Sequence, residues 1–235
     1  MPQNTLPSLT LQSFTPPLKL ADFKLIAFDM DSTLINIECV DEIADMVGLK
    51  AEVAAITEAT MRGEIADFKT SLRRRVALLK GVSVQDMERV YTERLRLNPG
   101  ANDLVAACKK AGLKVLLVSG GFTFFANRVA ERLGIDYAKS NELEIDKGVL
   151  TGGLVNQSWG DICDGEEKRK TLLDTCALLG IAPTQAIAVG DGANDLPMMG
   201  VAGLSVAFHA KPKVREQAMV AINEGGLDRL LEVLN

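Results

Sequence analysis

The chain has 235 residues, of which 47% are hydrophobic and 24% charged, and a formal net charge of -5. That is ample apolar side chain for a buried core, which excludes disordered, fibrous and disulfide-stapled classes. The acidic balance argues against a general nucleic-acid or membrane-surface binder, because either needs a positive field.

Residues 1 to about 20 are polar and interrupted by Pro2, Pro7, Pro16 and Pro17, which predicts an extended or loosely ordered lead-in over 1–21. The fold proper is expected to begin near Asp22. Lys24 to Asp29 (KLIAFD), Lys114 to Ser119 (KVLLVS) and Gln185 to Asp191 (QAIAVGD) are short apolar runs with polar or acidic ends. Such runs fit central strands of a parallel sheet covered on both faces. Helical patterns follow at Phe122 to Leu133, Glu166 to Leu179, Lys211 to Ala218 and Gly226 to Leu234. The alternation predicts an α/β fold with a doubly wound, Rossmann-like parallel sheet, its ligand crevice beyond the carboxyl ends of the strands.

Two segments depart from plain alternation. From Cys39 to about Arg96 the apolar positions recur at three and four, as in Ile43, Met46 and Val47 or Leu72, Val76 and Leu79. This predicts a helical cap at 39–96 inserted into a core of 22–38 and 97–235. Glu142 to Val155 alternates around Asp146-Lys147-Gly148 and reads as a β-hairpin.

Four cysteines, Cys39, Cys108, Cys163 and Cys176, are widely spaced and the only histidine is His209, so no structural zinc site is expected. Free thiols fit a reducing cytoplasm. No stretch approaches a membrane span and no basic, apolar leader opens the chain, so a cytoplasmic protein is expected. The basic run Arg73, Arg74, Arg75 reads, by itself, as a solvated helix face.

Asp29-Met30-Asp31-Ser32-Thr33 follows the first central strand directly. Alternation along an extended chain sends side chains 29 and 31 the same way. At ~4 Å and an effective dielectric of about 20 their repulsion is on the order of 4 kcal/mol, which a hard cation would offset. Gly190-Asp191-Gly192-Ala193-Asn194-Asp195 brings further carboxylates to another strand end. An all-oxygen set suits magnesium. One Asp at a strand end is usually a turn or cap residue, but paired clusters on two strands are harder to explain that way. A carboxylate can accept a phosphoryl group, and Ser119-Gly120-Gly121 before a helix start, with Lys168, supplies candidate phosphate donors.

As a set, Asp29-Met30-Asp31-Ser32-Thr33, Glu38, Ser119-Gly120-Gly121-Phe122, Lys168 and Gly190-Asp191-Gly192-Ala193-Asn194-Asp195 resemble the haloacid dehalogenase superfamily. Within it they resemble the phosphoserine phosphatases, over roughly residues 23–235. The resemblance implies Asp29 as nucleophile and metal ligand, and Asp31 as general acid, then base. It implies one Mg2+ per site, held by Asp29, the Asp31 carbonyl and Asp191, with Asp195 supporting the metal's waters. Ser119, Gly120 and Lys168 would bind phosphate and Asn194 would orient it. Glu38 would receive the substrate ammonium and Arg75 its carboxylate, with Met61 and Phe68 shaping the pocket; Arg73 and Arg74 would then be solvated.

The implied reaction is hydrolysis of O-phosphoserine through a phosphoaspartate, the last step of serine biosynthesis. A small molecule is the expected partner, with no nucleic acid or membrane. The oligomeric state stays open, a homodimer among the options. The lead-in is too short and proline-broken for the regulatory domain some members carry. His209 is expected to be structural. The alternatives are phosphoryl transfer to homoserine, hydrolysis of another small phosphoester such as phosphorylcholine, and, more remotely, a receiver-like module holding phosphate on Asp29.

Overall fold

The computed structural model describes residues 9–14 and 16–235. Strands β1 (Leu9–Leu11), β2 (Leu25–Phe28), β3 (Lys114–Phe122), β4 (Tyr137–Asn141), β5 (Leu143–Asp146), β6 (Val149–Leu154), β7 (Ala186–Gly190), β8 (Leu204–Phe208) and β9 (Val220–Ile222) form two sheets. The larger runs β1-β9-β8-β7-β2-β3-β4. All its neighbours are parallel except β1 against β9. This is the expected doubly wound sheet.

The three apolar runs lack a polar alternate because both faces are covered. Ile26, Phe28, Val115, Leu117, Ile187 and Val189 feed one apolar cluster; Leu25, Ala27, Leu116, Val118, Ala186 and Ala188 feed the other. Phe28 lies opposite Leu117 on one side and Val189 on the other, so the residues that follow, Asp29, Val118 and Gly190, stand at one level. The Asp29 N–H still donates to Val189 O at 2.9 Å, which fixes the first residue beyond β2.

Between β2 and β3 stand α1 (Cys39–Met46), α2 (Lys50–Met61), α3 (Phe68–Leu78) and α4 (Val84–Arg89). After them come α5 (Ala101–Lys110), α6 (Thr123–Leu133), α7 (Gly165–Leu179), the single turn α8 (Leu196–Met199) and α9 (Pro212–Gln217). Local chemistry starts several of them: the Asp67 carboxylate accepts the Thr70 N–H at 2.7 Å, Ser83 and Asp86 form a capping box, and Asp164 caps α7 through the Glu167 N–H at 2.9 Å. The expected helix at 226–234 is instead a 3-10 turn, Leu227–Glu232. Strands β5 and β6 turn through Lys147 and Gly148, both at positive φ. Leu150 in that hairpin exchanges backbone hydrogen bonds of 2.8 Å with the α3–α4 loop, at Gly81 and Val82.

One further expectation is corrected. The lead-in is not loose at 9–11: β1 closes the sheet edge beside β9, with Leu9 and Leu11 buried. Pairing satisfies backbone groups that an open edge would leave exposed. Residues 1–8 and 15 lie outside the described residues. Arg73 is exposed, as expected, and its Nη2 donates to both carboxylate oxygens of Asp161 at 2.6 and 2.7 Å. Residues two apart on a helix are about 200° apart, so turning Arg75 inward points Arg73 at the 157–164 loop. Arg74 is exposed.

Candidate active site

The carboxyl ends of β2, β3 and β7 open into a cavity of about 840 Å³ whose opposite wall comes from α1, α2 and α3. Of the residues singled out by sequence, Asp29, Asp31, Glu38, Met61, Phe68, Arg75, Ser119, Gly120, Asp191 and Asn194 line it. Lys168 and Asp195, both fully buried, sit behind Asp29.

Asp29, Asp191 and Asp195 each offer a carboxylate oxygen within 4.8 Å of the others. Lys168 Nζ lies 2.7 Å from Asp29 Oδ1 and 2.7 Å from Asp195 Oδ1. The second Asp195 oxygen accepts the N–H groups of Asp191 at 3.2 Å and Gly192 at 3.0 Å, so one buried side chain fixes both the lysine and the Asp191 loop. Glycine is required at 190 because a Cβ there would overlap the Asp195 carboxylate.

Charge crowding sets the proton affinities. Burial, then Asp195, holds the Asp29 carboxyl well above its ordinary range, although Lys168 pulls the other way. Burial, then Asp195 and Glu38, pushes Asp191 up to about 7. Burial, then Glu38, pushes Asp31 up to about 7. Burial alone would lower the Lys168 ammonium, but Asp195 and Asp29 raise it, so it stays charged.

After Asp29 the chain makes a wide turn over Met30–Leu34. The Asp29 Oδ1 accepts the Met30 N–H at 2.7 Å, and Ser32 adopts a left-handed φ of 57°. The turn brings Asp31 Oδ2 under the Cys39 N–H at 3.2 Å, while Asp31 Oδ1 is buried without a partner. Ser32 Oγ donates to Glu38 Oε1 at 2.7 Å, which orients Glu38 at the cavity wall. On β3, Ser119 Oγ accepts the Gly121 N–H at 2.9 Å. A side chain at Gly120 would strike the Phe68 ring, so cap and phosphate-loop candidate touch at that point.

On the cap side, Arg75 is 9% exposed and its Nε has no partner; Asp41 Oδ1 is likewise buried and unpaired. Burial lowers the Arg75 pKa, while Asp41, Glu38 and Asp31 raise it. A buried guanidinium N–H without a partner suits an acceptor brought by a ligand. Met61 is 68% exposed and stands at the rim. His209 lines a smaller pocket with Ser32 and Asn98; its Nε2 lies 2.9 Å from Gly225 O and its ring packs on Phe208.

Sequence reading missed three polar residues here. Thr33, fully buried, places its hydroxyl 3.5 Å from Asp191 Oδ1. Asp41 faces Arg75, and its place one turn into α1 after Glu38 was a usable signal. Asn141 bonds to Gly120 and Cys163, which no motif announces.

A hard divalent cation fits these donors: the trio offers only oxygen, and each shifted carboxyl gains by ionising next to positive charge. The arrangement can therefore hold a phosphate against a nucleophilic carboxylate while Lys168 offsets its charge.

The family model for haloacid dehalogenase-like hydrolases matches residues 26–200. A phosphoserine phosphatase of Polaromonas sp. (strain JS666) is 75% identical over 233 residues, covering 99% of each chain. Among solved structures, a phospho-aspartyl intermediate analogue of phosphoserine phosphatase is 39% identical, with a TM-score of 0.83 over 91% of this chain and 99% of that one. A substrate-bound phosphoserine phosphatase complex aligns with the same TM-score and coverage at 38% identity.

Proposed function

The chain belongs to the haloacid dehalogenase-like hydrolases, and from that premise we propose that it hydrolyses O-phosphoserine to serine and phosphate through a phosphoaspartate at Asp29. The observation that carries this reading is one cavity lined by both phosphate and amino-acid recognition groups. Asp29, Ser119 and Gly120 line it from the strand ends, with Lys168 behind Asp29, and Glu38 and Arg75, an acid and a base, line it as well. A phosphorylated zwitterion is complementary to both.

In the first half-reaction an Asp29 oxygen bonds to phosphorus as the seryl oxygen leaves. Asp31, able to hold a proton near neutral pH, gives it to that oxygen. In the second, Asp31 takes a proton from water, the water oxygen bonds to phosphorus, and Asp29 is freed with release of phosphate. Lys168 offsets charge on the phosphate oxygens throughout, with Ser119 and Gly120 as donors and Asn194 as orienting group. Asp29, Asp191 and the Asp31 carbonyl would hold Mg2+, with Asp195 supporting its waters; bound there, the ion would polarise the phosphate and neutralise its charge. Glu38 receives the ammonium, Arg75 the carboxylate in a two-pronged contact, and Phe68 and Met61 limit the room for a longer side chain.

The cap, 39–96, thus selects the substrate and the remainder performs the chemistry. Among the described residues no helix is long and apolar enough to cross a membrane and the cysteines are free thiols. A cytoplasmic enzyme closing a serine-forming route fits both.

A phosphoester panel tests the assignment. Phosphoserine should exceed phosphorylcholine and sugar phosphates by at least about 100-fold in kcat/KM, and Arg75→Ala should remove about 2 kcal/mol of that preference while sparing substrates without a carboxylate. Equal turnover across the parent's panel, or an equal loss on all substrates in the variant, is the contrary result.

The metal site carries its own test. Asp31 and Asp191, pushed up to about 7, bind more protons folded than unfolded, so in chelator the fold loses stability as pH rises from the ordinary carboxylate range towards 7. A bound cation favours the ionised forms and reverses that loss. The rise in Tm on replacing chelator with Mg2+ should therefore be larger at about pH 8 than at about pH 5, by roughly 5 °C. Equal rises at both pH values would contradict the site.

A further inference from the structure

Asn141, the last residue of β4, is 2% exposed and outside every motif above. Its Nδ2 donates to Gly120 O at 2.8 Å, and its Oδ1 accepts the Cys163 N–H at 2.8 Å. These two backbone groups belong to the two elements that must meet a phosphate from different sides. Gly120 lies in the Ser119-Gly120-Gly121 loop. Cys163 precedes Asp164, which caps α7 and whose carbonyl accepts the Lys168 N–H at 2.9 Å.

The contact at Gly120 has a further consequence. The Gly120 C=O and the Gly121 N–H belong to one planar peptide unit. Asn141 holds the carbonyl end of that unit, and Ser119 Oγ accepts its N–H at 2.9 Å. The unit is pinned at both ends, so the backbone facing the cavity cannot rotate. A carboxamide suits this, because it carries a donor and an acceptor on one short, flat group, whereas an ionised carboxylate offers acceptors alone.

We propose that Asn141 is a positioning residue for phosphoryl transfer, its carboxamide setting the separation between the phosphate loop and the head of the helix that carries Lys168. This rests on the phosphatase reading of the same cavity. Asn141 lines no part of the cavity wall, so it acts through Gly120 and Cys163 and not by touching substrate.

Asn141→Leu removes both hydrogen bonds at similar volume, and Asn141→Asp keeps the acceptor but sets a carboxylate against the Gly120 carbonyl. Each variant is compared with the parent for kcat on phosphoserine and for inhibition by inorganic phosphate and by L-serine. The expected result is a fall in kcat of about 30-fold or more with phosphate inhibition weakened about tenfold, while the L-serine constant stays within about twofold. General loosening would weaken phosphate and L-serine together. That outcome, or kcat within about threefold of the parent, overturns the proposal. Should Asn141→Leu fail to fold, Asn141→Asp is judged by the same criteria. The parent's own turnover of phosphoserine reports separately on the phosphatase reading, so the two can fail independently.

Discussion

Asp29→Asn is expected to lower phosphoserine turnover by at least about 1,000-fold while leaving the protein folded. An amide oxygen can still accept the Met30 N–H and the Lys168 ammonium, both of which now meet Asp29 Oδ1 at 2.7 Å. What disappears is the negative charge that bonds to phosphorus. Burial and Asp195 already penalise that charge, so a neutral side chain of the same shape relieves strain in the metal-free fold. The variant should accordingly melt no lower than the parent in chelator. Turnover within about tenfold of the parent would remove Asp29 as nucleophile; a lowered Tm in chelator would contradict the electrostatic account.

Lys168→Met is expected to damage both fold and activity. The ammonium is fully buried between Asp29 and Asp195, and no described basic group other than Lys168 forms an ion pair with either carboxylate. Removing it leaves two buried carboxylates facing an apolar chain, a loss of about 3–5 kcal/mol in urea unfolding in chelator. Turnover should fall by about 100- to 1,000-fold, because a preorganised charge aimed at the phosphate is gone. Adding Asp195→Asn separates the two roles: stability should recover in part, since one of the uncompensated charges is removed, while activity stays low. Recovery of activity in the double variant would mean that Lys168 acts only as a structural counter-ion.

The two predictions share a cause in the sheet register. With Phe28 opposite both Leu117 and Val189, the chain emerging from β2 stands between those of β3 and β7. The like-charged carboxylates Asp29 and Asp191 at the exits of β2 and β7 are thereby brought close together, and Lys168 reaches Asp29 from the first turn of α7.

Much of this was legible in the chain. Unbroken apolar runs ending in Asp29, Ser119 and Asp191 reported both-face burial, and hence a parallel sheet with its crevice at the strand ends. The helical periodicity after Cys39 and the alternation around Lys147-Gly148 reported an insert and a hairpin. These signals are local: each depends on which side of one strand or helix a residue occupies, and that follows from the period of the backbone itself.

What tertiary structure alone decided is where separate elements meet. The edge strand Leu9–Leu11 is too short and too near prolines to stand out, and it exists because β9 offers it an edge. Arg73 finds Asp161, and Asn141 finds Gly120 and Cys163, across 88, 21 and 22 residues of chain. A hydrogen bond forms wherever folding leaves a donor beside an acceptor, and no periodicity in the sequence encodes that distance. The order of residues determined the elements and the chemical groups at their ends; the packing of those elements determined which groups are buried together, and burial gives the carboxylates their altered proton affinity.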